Sequence, residues 1–443
     1  MFYIITVFIA IGLYVWGYKV SALFILFFFL TSGFNLIPEE MLESIFFSKG
    51  MDYAILIIVG IVIIDSFCIK GYLNRDKLIW LILIFYAFLG ICVIYNKYFI
   101  GTSLKEIIRT ARYNLLWIAY LVFRHLSKEQ LQRLMKFLFL VTVVCAALFI
   151  LQIIFDQHIL IEGQKFYYKL FGSRIPRFYN QPDMLPFFVF MAIYFNPFKG
   201  IPKIVTVIIL VIALLGAFHR SILIAFIFAI SIGYIIRLPR PKRIPVLISI
   251  SIIGFIFVVF FGYKFANSRT IKDIAIVTSG NVAEFGDIET EIDIEELQKS
   301  TFTFRIAHLL ERNRYVIDNK KAILFGAGLM TEDSKKTASM FDFKVGLSDE
   351  ALGNAVQLDT GDISYSFLLM RYGYLGTFIV LSLYIFFMIY FYKNLKEPIA
   401  FFSFICLVYI MIISFFSSIL TTPISFLLPL ISYSILQKKS VNE

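Results

Sequence analysis

Charge is scarce in this chain. Only 16% of its 443 residues are charged, against 60% hydrophobic and 18% aromatic, where an average domain is about 45–50% apolar. That balance excludes a soluble globular or disordered chain. Cysteine is rarer still. Cys68, Cys92, Cys145 and Cys406 lie in or at the ends of apolar runs without a CxxC pair, so neither a disulfide framework nor a zinc site is indicated. No His, Cys and carboxylate cluster has metal-ligand spacing, and there is no P-loop, serine nucleophile elbow or glycine-rich dinucleotide fingerprint. The chemistry expected is therefore free of metal and cofactor. The net charge of +11 does not indicate a nucleic-acid partner, because the basic residues are spread over short loops and line no single face.

What the chain has in abundance is apolar runs near the 20 or so residues that a membrane span needs. They recur from residues 2–17 to 421–437, and include 106–123 and 244–263. The count is 13, or 12 if the first two form one interfacial hairpin. The N-terminal stretch MFYIITVFIAIGLYVW has no basic n-region and no small-residue cleavage site, so it is read as a retained span. The expected architecture is an all-α polytopic membrane protein. It forms a single integral domain over residues 1–443, with one large extracytoplasmic loop, residues 264–362, that contains amphipathic helix.

Loop charge sets the orientation. One alternating set carries Lys70, Arg75 and Lys77, then Arg124 and Lys128, Arg237 to Arg243, Lys393 and Lys396, and Lys438 and Lys439. The positive-inside bias assigns this set to the cytoplasm. The opposite set then faces outward: Pro38 to Met51, the loop after Tyr95, Asp156 to Asp183, the His219–Arg220 turn, Lys264 to Asp362 and the Thr421 region. Within the long loop, Glu284 to Glu296 is an acidic run read as a solvated face. Phe302 to Asn319 has a helical period, with Phe304, Ile306, Leu309, Leu310 and Ile317 on an apolar arc. Arg305, His308 and Arg312 share a neighbouring arc, and this reads as an amphipathic helix at the outer interface.

Arginine on the outer side runs against the bias. Arg174 and Arg177 in SRIPRFYNQPDMLPF, Arg220 in GAFHRSILIAF, and Arg305 each either snorkel to lipid phosphates or form an anion site. Together they favour a pyrophosphate, which the planar guanidinium pairs bidentately. Acid and base candidates are Asp359 and Asp362 in DTGDISYSFLLMRYGYLG, with His219 and His308 on the same side. Asp362 is also placed to N-cap the helix that follows it. Phe166, Tyr167, Tyr168, Phe178 and Tyr179 either stack on sugar rings or anchor the interface.

The order of these elements resembles the bacterial O-antigen polymerase and O-antigen ligase superfamily, membrane glycosyltransferases of the GT-C type. RIPRFYNQP stands before a span, HRSILIAF opens another, and a large outer loop carries Arg305, ILFGAGLMTEDS and DTGDISYSFLLMRYGYLG, so the resemblance covers roughly residues 170–376. It implies a polyprenyl-diphosphate-linked oligosaccharide as donor and acceptor, with outer-side arginines Arg177, Arg220 and Arg305 on the donor diphosphate. Arg174, Asn180 and Tyr365 complete the substrate-binding candidates. Where ligases of the family carry a histidine and a following polar residue, this chain reads Gly361, Asp362 and Ile363, which favours the polymerase branch.

The resemblance implies a protein of the bacterial cytoplasmic (inner) membrane, with its loop in the periplasm, building an O-antigen, capsule or exopolysaccharide. A chain-length regulator is admitted as a further partner beside the lipid bilayer. Asp362, with Asp359 or His308 as substitutes, is the expected proton acceptor. Inversion and retention at the anomeric carbon both stay open. The rival readings are a ligase acting on lipid A core, and, from another class, a flippase for the same lipid-linked oligosaccharide.

Overall fold

The computed structural model describes residues 2–43, 49–69, 76–161, 163, 165–170, 173–195, 202–217, 219–239, 241–242, 245, 301–331, 334–346 and 357–440. Apart from residue 245, the expected span 244–263 lies outside the described residues, as does the long loop from 264 to 300 with its acidic run. The protein is mostly helical. The main elements are α1 (Phe2–Val15), α2 (Lys19–Leu30), α3 (Gly50–Cys68), α4 (Lys77–Tyr95), α5 (Leu104–Ala111) and α6 (Lys128–Phe155). A hairpin of β1 (Lys165–Leu170) and β2 (Ser173–Phe178) follows, then α7 (Leu185–Phe195), α8 (Lys203–Gly216) and α9 (Arg220–Arg237). After the undescribed interval come α10 (Thr301–Asp318), α11 (Lys320–Phe325), α12 (Lys335–Met340), α13 (Ser364–Lys393), α14 (Pro398–Ile413) and α15 (Ile424–Ser440).

Among the described residues, four helices are long and apolar enough to cross a membrane: Gly50–Cys68, Lys77–Ile100, Lys128–Phe155 and Ser364–Lys393. Seven shorter apolar helices accompany them among the described residues. Their burial follows their pattern. The α14 sequence PIAFFSFICLVYIMII is apolar all round and is buried nearly throughout, as a central helix must be. Peripheral α1 instead exposes Ile5, Phe8 and Ile9, which in a membrane face lipid at no hydrophobic cost. Trp117 anchors the centre, stacked 4.2 Å from the Phe426 ring on α15.

The structure departs from the sequence reading in two places. The apolar run 106–123 is not one α-helix: α5 passes into a 3-10 segment, Arg112–Ile118, before a short helix, Ala119–Phe123. Such a mid-helix change marks strain or function, and here it accommodates Arg112, whose Nη1 lies 2.7 Å from Asp52 of α3. The architecture is also not purely α. KFYYKL and SRIPRF pair antiparallel, from Lys165 opposite Phe178 to Leu170 opposite Ser173. Aromatic residues suit a pleated ladder, and so short a pair was hidden among apolar spans.

Parts of several outward-assigned segments meet around a cleft of about 600 Å³, walled by Ser32, by Lys49 to Met51, by Tyr179 and Gln181 to Asp183, by Ile222 at the start of α9, and by Ser417 to Ile419 and Thr421 to Ile424. At the opposite ends of the helices, Asp76 accepts a hydrogen bond from Tyr120, whose hydroxyl oxygen also lies 3.0 Å from Gln437 Oε1. The cleft and this contact therefore lie at opposite ends of α15.

Candidate functional site

Three segments distant in sequence bring the charged residues together beside that cleft. The hairpin supplies Arg177. Its guanidinium Nη2 lies 2.9 Å from His219 Nδ1, and its Nε donates to the Ala217 carbonyl at 3.2 Å. The same guanidinium lies 4.5 Å over the Tyr179 ring, which in turn meets the His219 ring edge-on at 4.9 Å. Tyr179 is also a wall of the cleft, so the cationic group and the cavity share one side chain. The α10 helix supplies Arg305, whose Nη2 and Nε lie 2.7 and 2.9 Å from Asp362 Oδ2.

His219 couples these parts electrostatically. Burial first, then Arg177 and Arg305, lower its pKa to about 4, against an opposing pull from Asp362. The imidazole is therefore neutral near pH 7. Because a guanidinium can only donate, Nδ1 must accept from Arg177 and the ring proton sits on Nε2. His219 thus offers an N–H donor rather than a base. That leaves Asp362 as the exposed carboxylate of the group.

Asp362 does not cap α13. The N-cap position is Ile363 with no side-chain cap, and the carboxylate turns to Arg305 instead. Arg220 is the first residue of α9 and directly follows His219, while its side chain lies outside the described residues. Arg174 is exposed. It stands three residues before Arg177 on β2, hence on the opposite face of the hairpin, and it is not brought into the group.

Asp359 and His308 take buried positions. Asp359 Oδ2 lies 2.8 Å from Arg371 Nη2, with side-chain exposures of 0% and 3%. Arg371 also covers the Phe367 ring at 4.4 Å. His308 is fully buried, and burial together with nearby Arg312 holds its pKa well below the usual histidine value. Arg312, also fully buried, donates to the Leu358 and Gln357 carbonyls and to Glu311. Glu311 in turn accepts from the Lys344 and Val345 amides. The polar arc of α10 is therefore packed against the protein, while Leu310 and Ile317 of its apolar arc are exposed.

Two further candidates serve as fasteners. The Asn180 amide donates to the Ile161 carbonyl, and its oxygen accepts from Gln152 at 2.8 Å. Tyr365 donates to the Met411 carbonyl at 2.9 Å, joining α13 to α14. Of the aromatics, Phe178 is buried while Phe166, Tyr167 and Tyr179 are exposed.

Sequence reasoning missed how the loop helices are held. Gly326 and Gly373 sit at φ values of 66 and 64, and a Cβ on Gly373 would lie 2.5 Å from the Ala322 carbonyl oxygen. The Ala327 amide donates to Met370 at 2.7 Å across this contact. Buried Asn96 accepts from the Leu329 amide at 2.7 Å. The signal was present in the glycines of ILFGAGLM and RYGYLG, which permit backbone to touch backbone. Among the described residues no group of His, Cys, Asp and Glu is arranged to hold a metal ion. Comparison with protein-family models finds no match, and comparison with curated proteins finds none either.

Proposed function

We propose that the chain is a metal-independent membrane glycosyltransferase that polymerises a polyprenyl-diphosphate-linked oligosaccharide at the outer face of a bacterial cytoplasmic membrane. The observation that carries this reading is the meeting of Arg177, neutral His219 and the Arg305–Asp362 pair beside a half-open cleft. Arginines and an imidazole N–H make an anion site that needs no metal, and preorganised donors of this kind stabilise charge as it develops on a leaving group. The acceptor hydroxyl oxygen forms a bond to the anomeric carbon, and the bond from that carbon to the diphosphate oxygen breaks. The diphosphate departs with the electron pair onto Arg177, Arg305 and Arg220. The hydroxyl proton passes to Asp362, which Arg305 keeps oriented.

Asp359 and His308 act from behind, by holding the frame. The test is a gel of surface glycan from cells lacking the protein and complemented with wild type, Arg177→Ala or Asp362→Asn at matched expression. A ladder restored by wild type and reduced to single repeat units by the variants is the expected result. Long lipid-linked chains that never reach an acceptor would make the protein a ligase. Single lipid-linked units held at the cytoplasmic face would make it a flippase.

A further inference from the structure

The cleft is a second feature, adjoining the arginine group but chemically unlike it. Its volume of about 600 Å³ lies inside the roughly 300–1,000 Å³ of small-molecule sites. Its wall mixes aromatic and aliphatic faces, Tyr179, Phe367 and Ile222 among them, with a run of hydroxyl and amide groups from Ser417, Ser418, Thr421, Thr422 and Gln181. Two of those hydroxyl protons are already committed. Thr421 donates to the Ser418 carbonyl at 2.8 Å and Thr422 to the Ile419 carbonyl at 2.7 Å, so both oxygens remain as acceptors. The Gln181 Oε1 atom is buried without a hydrogen-bond partner, another acceptor in want of a donor.

We infer that this cleft is the glycan subsite, holding a short oligosaccharide end whose hydroxyls donate to Gln181, Thr421 and Thr422 while a ring face lies against Tyr179. A hydrocarbon tail is the other occupant that a membrane protein offers. It would leave the buried Gln181 oxygen unpaired and offer no donor to the Thr421 and Thr422 oxygens. Sugars satisfy both halves of the lining, with apolar C–H faces and hydroxyl edges. The assignment rests on the transfer reading above for its place in a reaction, since a glycan seated against Tyr179 sits beside Arg177.

The test uses full-length protein in nanodiscs and two probes: the free oligosaccharide released by mild acid from lipid-linked repeat units of the same cells, and polyprenyl diphosphate without sugar. Calorimetry on wild type, Gln181→Leu, Thr422→Val, the double variant and Arg177→Ala is read beside their thermal unfolding, with Thr421→Val replacing any variant that fails to fold. The expected result is that the double variant binds the free glycan at least about tenfold more weakly, with carrier binding unchanged, while Arg177→Ala does the reverse. Glycan binding that survives the double variant overturns the assignment, as does wild type that binds no free glycan. Carrier binding that strengthens in the cleft variants while glycan binding is unaltered makes the cleft a tail site. If deletion of the protein leaves surface glycan unaltered, the transfer reading falls while the binding result is still read for the cleft.

Discussion

Asp359 and Asp362 stand three residues apart, each against an arginine, and they are opposites. The Arg371–Asp359 pair is buried at 3% and 0% exposure, whereas Arg305–Asp362 is open at 23% and 58%. The same two residue types are fixed in one place and exchangeable in the other. A buried pair loses far more by separation than a ligand could return, because each charge would be stranded in low dielectric. An open pair in water is worth little to the fold, so a phosphate can take one partner without unfolding anything. This is why the outer pair is read as substrate-facing and the inner pair as frame.

The comparison breaks most easily at the inner pair. Arg371→Ala strands Asp359 and is expected to cost about 3–5 kcal/mol, seen as a lower unfolding midpoint in detergent. Arg371→Leu with Asp359→Leu should recover most of that loss, since no charge is left buried. If the single variant is as stable as wild type, the pair is not the frame.

The glycine contact comes next. Gly373→Ala forces a Cβ against the Ala322 oxygen at a positive φ, costing about 1–3 kcal/mol from the backbone conformation alone. Hydrogen exchange should rise in α10 and α11 before the rest of the bundle opens. Uniform exchange across the bundle would mean that Gly373 does not hold α11 against α13.

The outer pair should invert this pattern. Arg305→Ala is expected to change stability by no more than about 1 kcal/mol yet to remove the glycan ladder, and Arg305→Lys to restore it poorly because an ammonium lacks the bidentate fork. A full ladder from a stable Arg305→Ala protein would sink the distinction between the pairs.

The two pairs also measure how far the sequence was legible. Periodicity located most of the helices, because burial in a bundle and lipid exposure both demand apolar residues at helical length. The arginines assigned to the outer side were visible as exceptions to a bias. What sequence could not show was depth. Asp359 and Asp362, or Arg305 and Arg312, look alike in a string, and only the packing of α10 on α13 decides which is covered. His308 stood beside Asp359 as a substitute proton acceptor, and packing buries it completely. The β1–β2 hairpin and the 3-10 segment of 112–118 were invisible for another reason: each is a local backbone choice imposed by partners far away in sequence.

The smallest effect is expected from pH. His219 binds its proton near 4 in the folded protein against the usual 6.5, so between those values the unfolded chain binds more protons. Its contribution to stability is full above about 6.5 and is lost as pH falls toward 4. His308, held down by burial and by Arg312, acts in the same direction. The unfolding midpoint of wild type should therefore fall between pH 7 and 4.5, and His219→Gln should flatten the slope without abolishing it. Arg177→Gln removes one cation facing the ring and leaves Arg305 and Asp362, so it should bring the His219 pKa back toward 6.5 and shrink the loss. If Arg177→Gln keeps the wild-type slope while His219→Gln flattens it, burial alone holds the ring neutral, and Arg177 is not coupled to it as part of one anion site.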